Sequence, residues 1–410
     1  MSLAMKKRRI CILSVPLSKT LASSYQASIF SSSLSCYPLM RQPRLFAPPS
    51  WSSACYHCVS RVVDRQHVLG DEEKAEFLRL MRLYEKLCQV RVLTYCLMSN
   101  HFHLLVEVPQ RPEGGMSELA LLAHIAACHG KARAWRVNEE IRQYRAVGAH
   151  AAAQQVIEAW TSRMWDLSAF MKTLKQRFTQ WYNKRHGRRG TLWEDRFRST
   201  LVEGNMNALA MVGAYIDLNP VRAGIVDDPK DYRWSGYGAA VAGVKLAVKG
   251  LERVLSHEED MDAYAAHVKV TKSNSNPATN SLRKPLKGQR ALARYRVVIY
   301  NEGDTGDAAT RQMQSRLGKG AKGNRRGFDR AEVLAVRENK GTLTRAQMLR
   351  CRVRYFVDGA VLGSRAFVNR VFEEQRHRFG TTRTDGARAM RGADFGGLCT
   401  LRDLRKEVFG

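Results

Sequence analysis

Apolar residues change their period several times along the chain, and each change marks an element. Residues 53–63 (SACYHCVSRVV) form a β-branched and aromatic run that predicts a strand, with Gly70-Asp71 beyond its exit. Phe77, Leu78, Met81, Tyr84, Leu87 and Cys88 then recur at helical spacing, behind Glu72, Glu73 and Glu76 in the first turns. Residues 91–97 and 101–108 predict two more strands, and Met98-Ser99-Asn100 between them makes the pair a hairpin. An Ala-rich helical stretch fills 112–165. Asp166 caps an amphipathic helix that carries Leu167, Phe170, Met171, Leu174, Phe178 and Trp181 on one face. Residues 197–203 predict a strand, and 205–218 a helix stopped by Pro220. Strands separated by helices, with a hairpin among them, predict an α+β fold, an antiparallel sheet with helices on one side.

The rest of the chain divides by composition. Residues 1–39 open with Lys6-Lys7-Arg8-Arg9 and ICILSVPL, which mimics a secretory signal without a convincing cleavage site. They are expected to be a disordered or spurious extension, with Met40 opening a first domain over 40–240 that holds 112–165 as a helical insertion. A helix and a polar, basic linker follow over 241–290, and 318–327 (GKGAKGNRRG) is a second basic stretch. Residues 291–410 are expected to be mainly helical. Within them, 343–357 and 364–379 predict two helices joined by Asp358-Gly359 and Leu362-Gly363, in the manner of a DNA-binding helix-turn-helix.

Charge narrows the range of partners. The 410 residues carry 67 Lys+Arg against 38 Asp+Glu, a net charge of +29. Such an excess points to a polyanion, nucleic acid or an anionic membrane surface. No apolar run is long enough to span a membrane. Nine cysteines in no repeated spacing, with Cys55 and Cys58 as a lone CxxC, point to reduced thiols in a cytoplasmic protein. Nine basic residues lie between 172 and 198: Lys172, Lys175, Arg177, Lys184, Arg185, Arg188, Arg189, Arg196 and Arg198. They can contact phosphates or form a solvated face. Trp193 and Phe197 among them can stack on unpaired bases, or Trp193 can be core.

Two motifs carry candidate chemistry. On a strand His101 and His103 point to one face, so both imidazoles can meet one divalent ion while Phe102 enters the core. The alternative is a pair of surface histidines. In Tyr215-Ile216-Asp217-Leu218-Asn219-Pro220, Tyr215 and Asn219 share a helix face. The Asn219 amide oxygen can complete a metal's ligand set, and Tyr215 can act as nucleophile once a cation or base helps it ionise. The alternative is a half-buried tyrosine and an ordinary helix stop. Tyr182 is the competing nucleophile, but its neighbours Phe178 and Trp181 place it on an apolar face. His57, His124 and His129 are expected to be structural.

The order SNHFHLLVEV, LKQRFTQWYNKRHGRRGTLWEDRFRS, AYIDLNPVRAGIV resembles the REP-associated tyrosine transposases, relatives of the insertion-sequence single-strand transposases in the HUH nuclease class. The resemblance covers about 50–240. It implies a ferredoxin-like antiparallel sheet, a divalent metal (Mg²⁺ or Mn²⁺) held by His101, His103 and Asn219, and Tyr215 as the single nucleophile. It also implies transposition by transesterification on single-stranded or hairpin DNA through a 5′-phosphotyrosine link, with no small-molecule cofactor. The insertion and everything beyond about 260 depart from the family pattern. Three rivals stand beside this reading. One is a replication or conjugation initiator of the same nuclease class, disfavoured because no GxxxxGK[ST] loop occurs. The second is a transposase-derived DNA-binding regulator that cleaves nothing, and the third a basic RNA-binding protein. The sequence sets no oligomeric state, monomer or dimer.

Overall fold

The structure, a computed structural model, describes residues 44–48, 50–256, 288–300 and 345–402. All the described elements belong to the unit that begins at Arg44. The extension 1–39, the linker up to 287 and the basic stretch 318–327 lie outside the described residues.

The strands fall where alternation puts them. β1 (Ser53–Arg61) is central, with β3 (His101–Pro109) antiparallel on one side and β4 (Arg198–Val202) antiparallel on the other. β2 (Arg91–Leu97) pairs with β3 as the expected hairpin, with a register shift between Val92 and Thr94. The sheet then continues past β4. β5 (Val361–Gly363) runs parallel to β4, and β7 (Cys399–Thr400) and β6 (Arg388–Ala389) complete the order β2-β3-β1-β4-β5-β7-β6.

Helices begin at the caps the sequence supplies. α1 (Asp71–Leu87) starts with the Gly70 amide donating to Glu73 Oε2 at 2.9 Å. α2 (Glu118–His129), α3 (Lys131–Ala146) and α4 (His150–Thr161) make up the insertion. α5 (Leu167–Arg185) is capped by Asp166, which accepts from the Ala169 amide at 2.6 Å. α6 (Met206–Asp217) is capped by Asn205 and followed at once by the short α7 (Asn219–Arg222), so Pro220 starts a new turn rather than ending helical structure. α8 (Gly236–Val241), α9 (Lys245–Val254) and α10 (Gln289–Tyr300) follow. None of the described helices is long and apolar enough to cross a membrane.

The pleat of β3 sorts these helices. Phe102 meets Phe77 of α1 at 4.7 Å between ring centroids, Phe77 packs with Phe178 of α5, and Trp193 meets all three. The next residue, His103, turns to the opposite face and meets Tyr215 of α6. The α+β class is therefore as expected. The helices, however, cover both faces: α1 and α5 one, α6 and α9 the other, where Arg253 of α9 pairs with the buried Glu107 of β3 at 2.8 Å.

The C-terminal region corrects the expected helix-turn-helix. Its described residues hold α11 (Arg345–Leu349), α12 (Tyr355–Asp358), β5 and α13 (Arg365–Glu374). The segment expected to be a turn is instead a sheet strand, with Val361 and Leu362 buried. Glu203, just after β4, fastens this region by accepting from the Ser364 amide and hydroxyl at 2.6 and 2.9 Å.

Candidate active site

Three segments distant in sequence converge on one face of the sheet. β3 contributes His101 and His103, with ring centroids 5.2 Å apart. α6 contributes Tyr215, whose ring lies 6.2 Å from His103 and is 2% exposed. Phe356 of α12 covers Tyr215 from the C-terminal region at 4.8 Å. No hydrogen bond to the Tyr215 hydroxyl is formed among the described residues, so the oxygen is not committed to a structural partner.

His57 belongs to this site, against expectation. It is fully buried on β1, and its Nε2 lies 2.8 Å from His103 Nδ1 while its Nδ1 lies 2.8 Å from the Phe356 carbonyl. A carbonyl only accepts, so His57 carries its proton on Nδ1 and accepts at Nε2. His103 must then donate from Nδ1, which leaves its Nε2 lone pair free. His101 reaches the same state by another route. Asn100 Nδ2 donates to the Arg65 carbonyl at 3.0 Å, which turns Asn100 Oδ1 toward His101 Nδ1 at 2.6 Å. The hydrogen-bond network thus assigns both imidazoles of the H-x-H pair the tautomer that offers Nε2 to a ligand.

Electrostatics keep them in that form. Burial first, and then the charges of Arg61, Arg222 and Arg352, lower the His101 imidazole to about 3. Burial followed by the neighbouring His57 holds His103 well below the ordinary histidine range. Neutral imidazole is the form that ligates metals, so the donors fit a divalent ion. Among the described residues no group of three or more His, Cys, Asp and Glu is arranged to hold one.

Asn219 lies one turn beyond Tyr215. Its Nδ2 donates to the Ile216 and Tyr215 carbonyls at 3.0 and 3.4 Å, which leaves Oδ1 as the atom for a ligand. No hydrogen bond joins it to either imidazole among the described residues. Arg222, to which the sequence motifs assign no role, also belongs to the site. It donates to the Tyr215 carbonyl at 2.6 Å and to the Leu349 carbonyl at 2.7 Å, with its guanidinium 4.1 Å from the Tyr215 ring centroid. Its spacing from Tyr215, seven residues or two helical turns, is the signal that could have singled it out.

The expected DNA-contacting residues spread over the other side. Lys172, Lys175, Trp193 and Arg196 line a groove of about 840 Å³ beside α5, together with Arg44. Trp193 is 6% exposed and packs with Phe77, Phe102 and Phe178, so it takes the core alternative and not base stacking. Phe197 is buried beneath the Arg44 guanidinium. Lys175 is held down at about 8 by burial and donates to the Asp195 carbonyl. Lys184 and Arg189 are exposed at the basic turn, where Arg188 is half-buried, and Arg185 pairs there with Glu72. Arg198 pairs with Asp358 at 2.8 Å, and Arg177 faces a different hollow. Tyr182 is buried against His186 and Phe178 on the face away from the histidine pair.

Residues 50–120, which include β1, α1 and the His101–His103 hairpin, match the family described as "Transposase IS200 like". Among solved structures the chain is similar to a REP-associated tyrosine transposase bound to a REP hairpin. The identity is 13% and the TM-score 0.32, over 50% of this chain and 86% of that one. No curated protein matches the chain.

Proposed function

Starting from the IS200-like transposase segment at 50–120, we propose that this chain cleaves and rejoins single-stranded DNA through a tyrosine-linked intermediate. The observation that carries the reading is the convergence of His101, His103 and Tyr215 on one face of the sheet, with both imidazoles presenting Nε2. His101 and His103 would hold a divalent ion with Asn219 Oδ1, and of Mg²⁺ and Mn²⁺ two imidazole donors favour Mn²⁺. When bound, the ion polarises the scissile phosphate and offsets charge in the transition state.

The chain's own residues supply the rest. Arg61, Arg222 and Arg352 make the site electropositive and draw in a phosphodiester. Arg222 fixes the C-terminal end of α6 and sets its guanidinium beside the Tyr215 ring, where it can pair with a phosphate oxygen. Tyr215 oxygen attacks phosphorus, so that the Tyr–O–P bond forms as the P–O3′ bond breaks. The phenol gives up its proton and the departing 3′-oxygen takes one. The link retains the phosphodiester's energy, and a later 3′-OH attack reverses the step. Hairpin-forming repeats are the proposed substrates, a role that the resemblance in sequence supports.

A second reading, a DNA-binding regulator that cleaves nothing, draws on the burial of Tyr215 beneath Phe356. One experiment separates the two. The protein is mixed with labelled single-stranded hairpin DNA and Mn²⁺ or Mg²⁺, and a denaturing gel is read for a protein–DNA adduct. An adduct that disappears with EDTA and with Tyr215→Phe, but persists with Tyr182→Phe, supports strand transfer. Binding without an adduct supports the regulator.

A further inference from the structure

The helical insertion has its own small core of Leu121, Ile125, Val137 and Ile141. Where it meets α1 and α5 it leaves a hollow of about 570 Å³. Arg133 and Arg136 of α3, Arg163 just after α4, and Arg177 of α5 all open onto it, beside His129 and Trp160. Arg133 and Arg163 each stand 5.6 Å from the Trp160 ring centroid, so one indole holds two guanidiniums at the rim. A single carboxylate, Glu140, lines the hollow.

Several arginines elsewhere are matched with acids, among them Arg79 with Glu76, Arg145 with Glu118, Arg185 with Glu72 and Arg253 with Glu107. Among the described residues, none of the four around this hollow lies within ion-pair distance of a carboxylate. Their combined field is felt at His129, whose imidazole is lowered by burial and then by Arg133, Arg177 and Arg163. Four like charges around one concavity repel one another, and an anion seated among them relieves that repulsion. Guanidinium forks match phosphate oxygens in pairs, which a lysine cannot do. All four arginines are exposed, so the hollow is open along its rim. An open rim suits a polymer passing over it better than an enclosed mononucleotide.

We propose that this hollow is a nucleic-acid phosphate site, formed by the insertion together with α5 and separate from the histidine–tyrosine site. α5 then serves two basic surfaces, since Lys172 and Lys175 face the groove with Arg44 while Thr173 and Arg177 face the insertion. A strand laid across α5 engages both. The inference rests on the reading of DNA as the substrate.

The test uses the full chain and a fluorescent single-stranded oligonucleotide, with binding followed by anisotropy between about 50 and 200 mM salt. Each phosphate contact in a single strand contributes about 0.7 to the slope of log K against log salt. Arg133→Gln with Arg163→Gln is expected to lower that slope by about 1.4 and to weaken binding several-fold. Glu140→Gln removes the one acid without touching any of these contacts and is expected to tighten binding. An effect in that opposite direction cannot come from a misfolded insertion. Slopes and affinities equal to the parent's in both variants overturn the proposal. Displacement of the oligonucleotide by equimolar pyrophosphate marks a free-phosphate site and overturns the nucleic-acid assignment. The Tyr215 adduct is read in the same tubes. An adduct with unchanged slopes removes this site alone, whereas altered slopes without an adduct support it and remove strand transfer.

Discussion

His57 Nε2 lies 2.8 Å from His103 Nδ1, and this one contact decides which nitrogen His103 can offer to a ligand. The chain from the Phe356 carbonyl through His57 to His103 has a single consistent direction of donation. In metal sites such outer partners typically contribute 10–100-fold in affinity. His57→Phe should therefore weaken Mn²⁺ binding by about that factor in calorimetry, while Tyr215 stays in place. His57→Gln, whose Oε1 can accept from His103, should recover part of the loss. Equal affinities for all three proteins would falsify the relay.

Acid should destabilise the metal-free protein. Burial holds His57 at about 4 and His101 at about 3, and holds His103 well below the ordinary value of 6.5. Unfolding frees these imidazoles to bind protons, so stability is lost as pH falls from about 6.5 toward about 4. Asp217 opposes this. Burial pushes it up to about 7 from 3.8, so its contribution is largest in acid and lost as pH rises to about 7. Three imidazoles outweigh one carboxyl, and the urea midpoint should be lower at pH 5 than at pH 7. An equal or higher midpoint at pH 5 contradicts the burial of the cluster.

Asp217 itself can be isolated. It accepts from Tyr295 Oη at 2.6 Å, from Thr94 Oγ1 at 2.9 Å and from the Tyr237 amide at 3.0 Å, and so joins α6 to β2, α8 and α10. Asp217→Asn forfeits some of this geometry at any pH. It also abolishes the cost of burying a charge, which the parent meets only as pH rises. The stability of the variant relative to the parent should therefore improve between about pH 5 and pH 8. A difference that stays constant over that range would show that Asp217 does not titrate there.

Gly250 is where α9 comes closest to β2. A Cβ there would stand 2.0 Å from the Leu93 carbonyl oxygen and 2.8 Å from its carbon, both backbone atoms that cannot step aside. Gly250→Ala should cost about 1–3 kcal/mol or more, as overpacking does. It should lower the thermal midpoint even though alanine is the better helix former. A midpoint at or above the parent's refutes the close approach.

What could be read from the sequence depended on whether the signal was local. The β2–β3 hairpin and the α5 cap were legible because alternation and Asp166 act within a few residues. So was the shared face of His101 and His103. His57 was not, because its place beside His103 follows from the register in which Val59 faces His103, and a strand's sequence does not state its partner. β5, β6 and β7, each two or three residues long, are too short for any period, and the glycines around β5 predict a turn between helices instead. Trp193 sat in a basic run that concealed its commitment to the core, since only tertiary packing brings Phe77, Phe102 and Phe178 around it.

The Phe356 carbonyl that orients His57 is 299 residues further along the chain. Made from its N-terminus at about 5–20 residues per second, a growing chain waits roughly 15 to 60 s between the two. β1, β3 and α6 can already have come together by then, while β5 and α12 do not yet exist. During that interval His57 has no acceptor and Tyr215 has no cover, so the imidazole pair is not yet locked. The order of synthesis itself acts as a delay, and reactive groups that emerge early acquire their final arrangement only when the far side of the sheet is laid down.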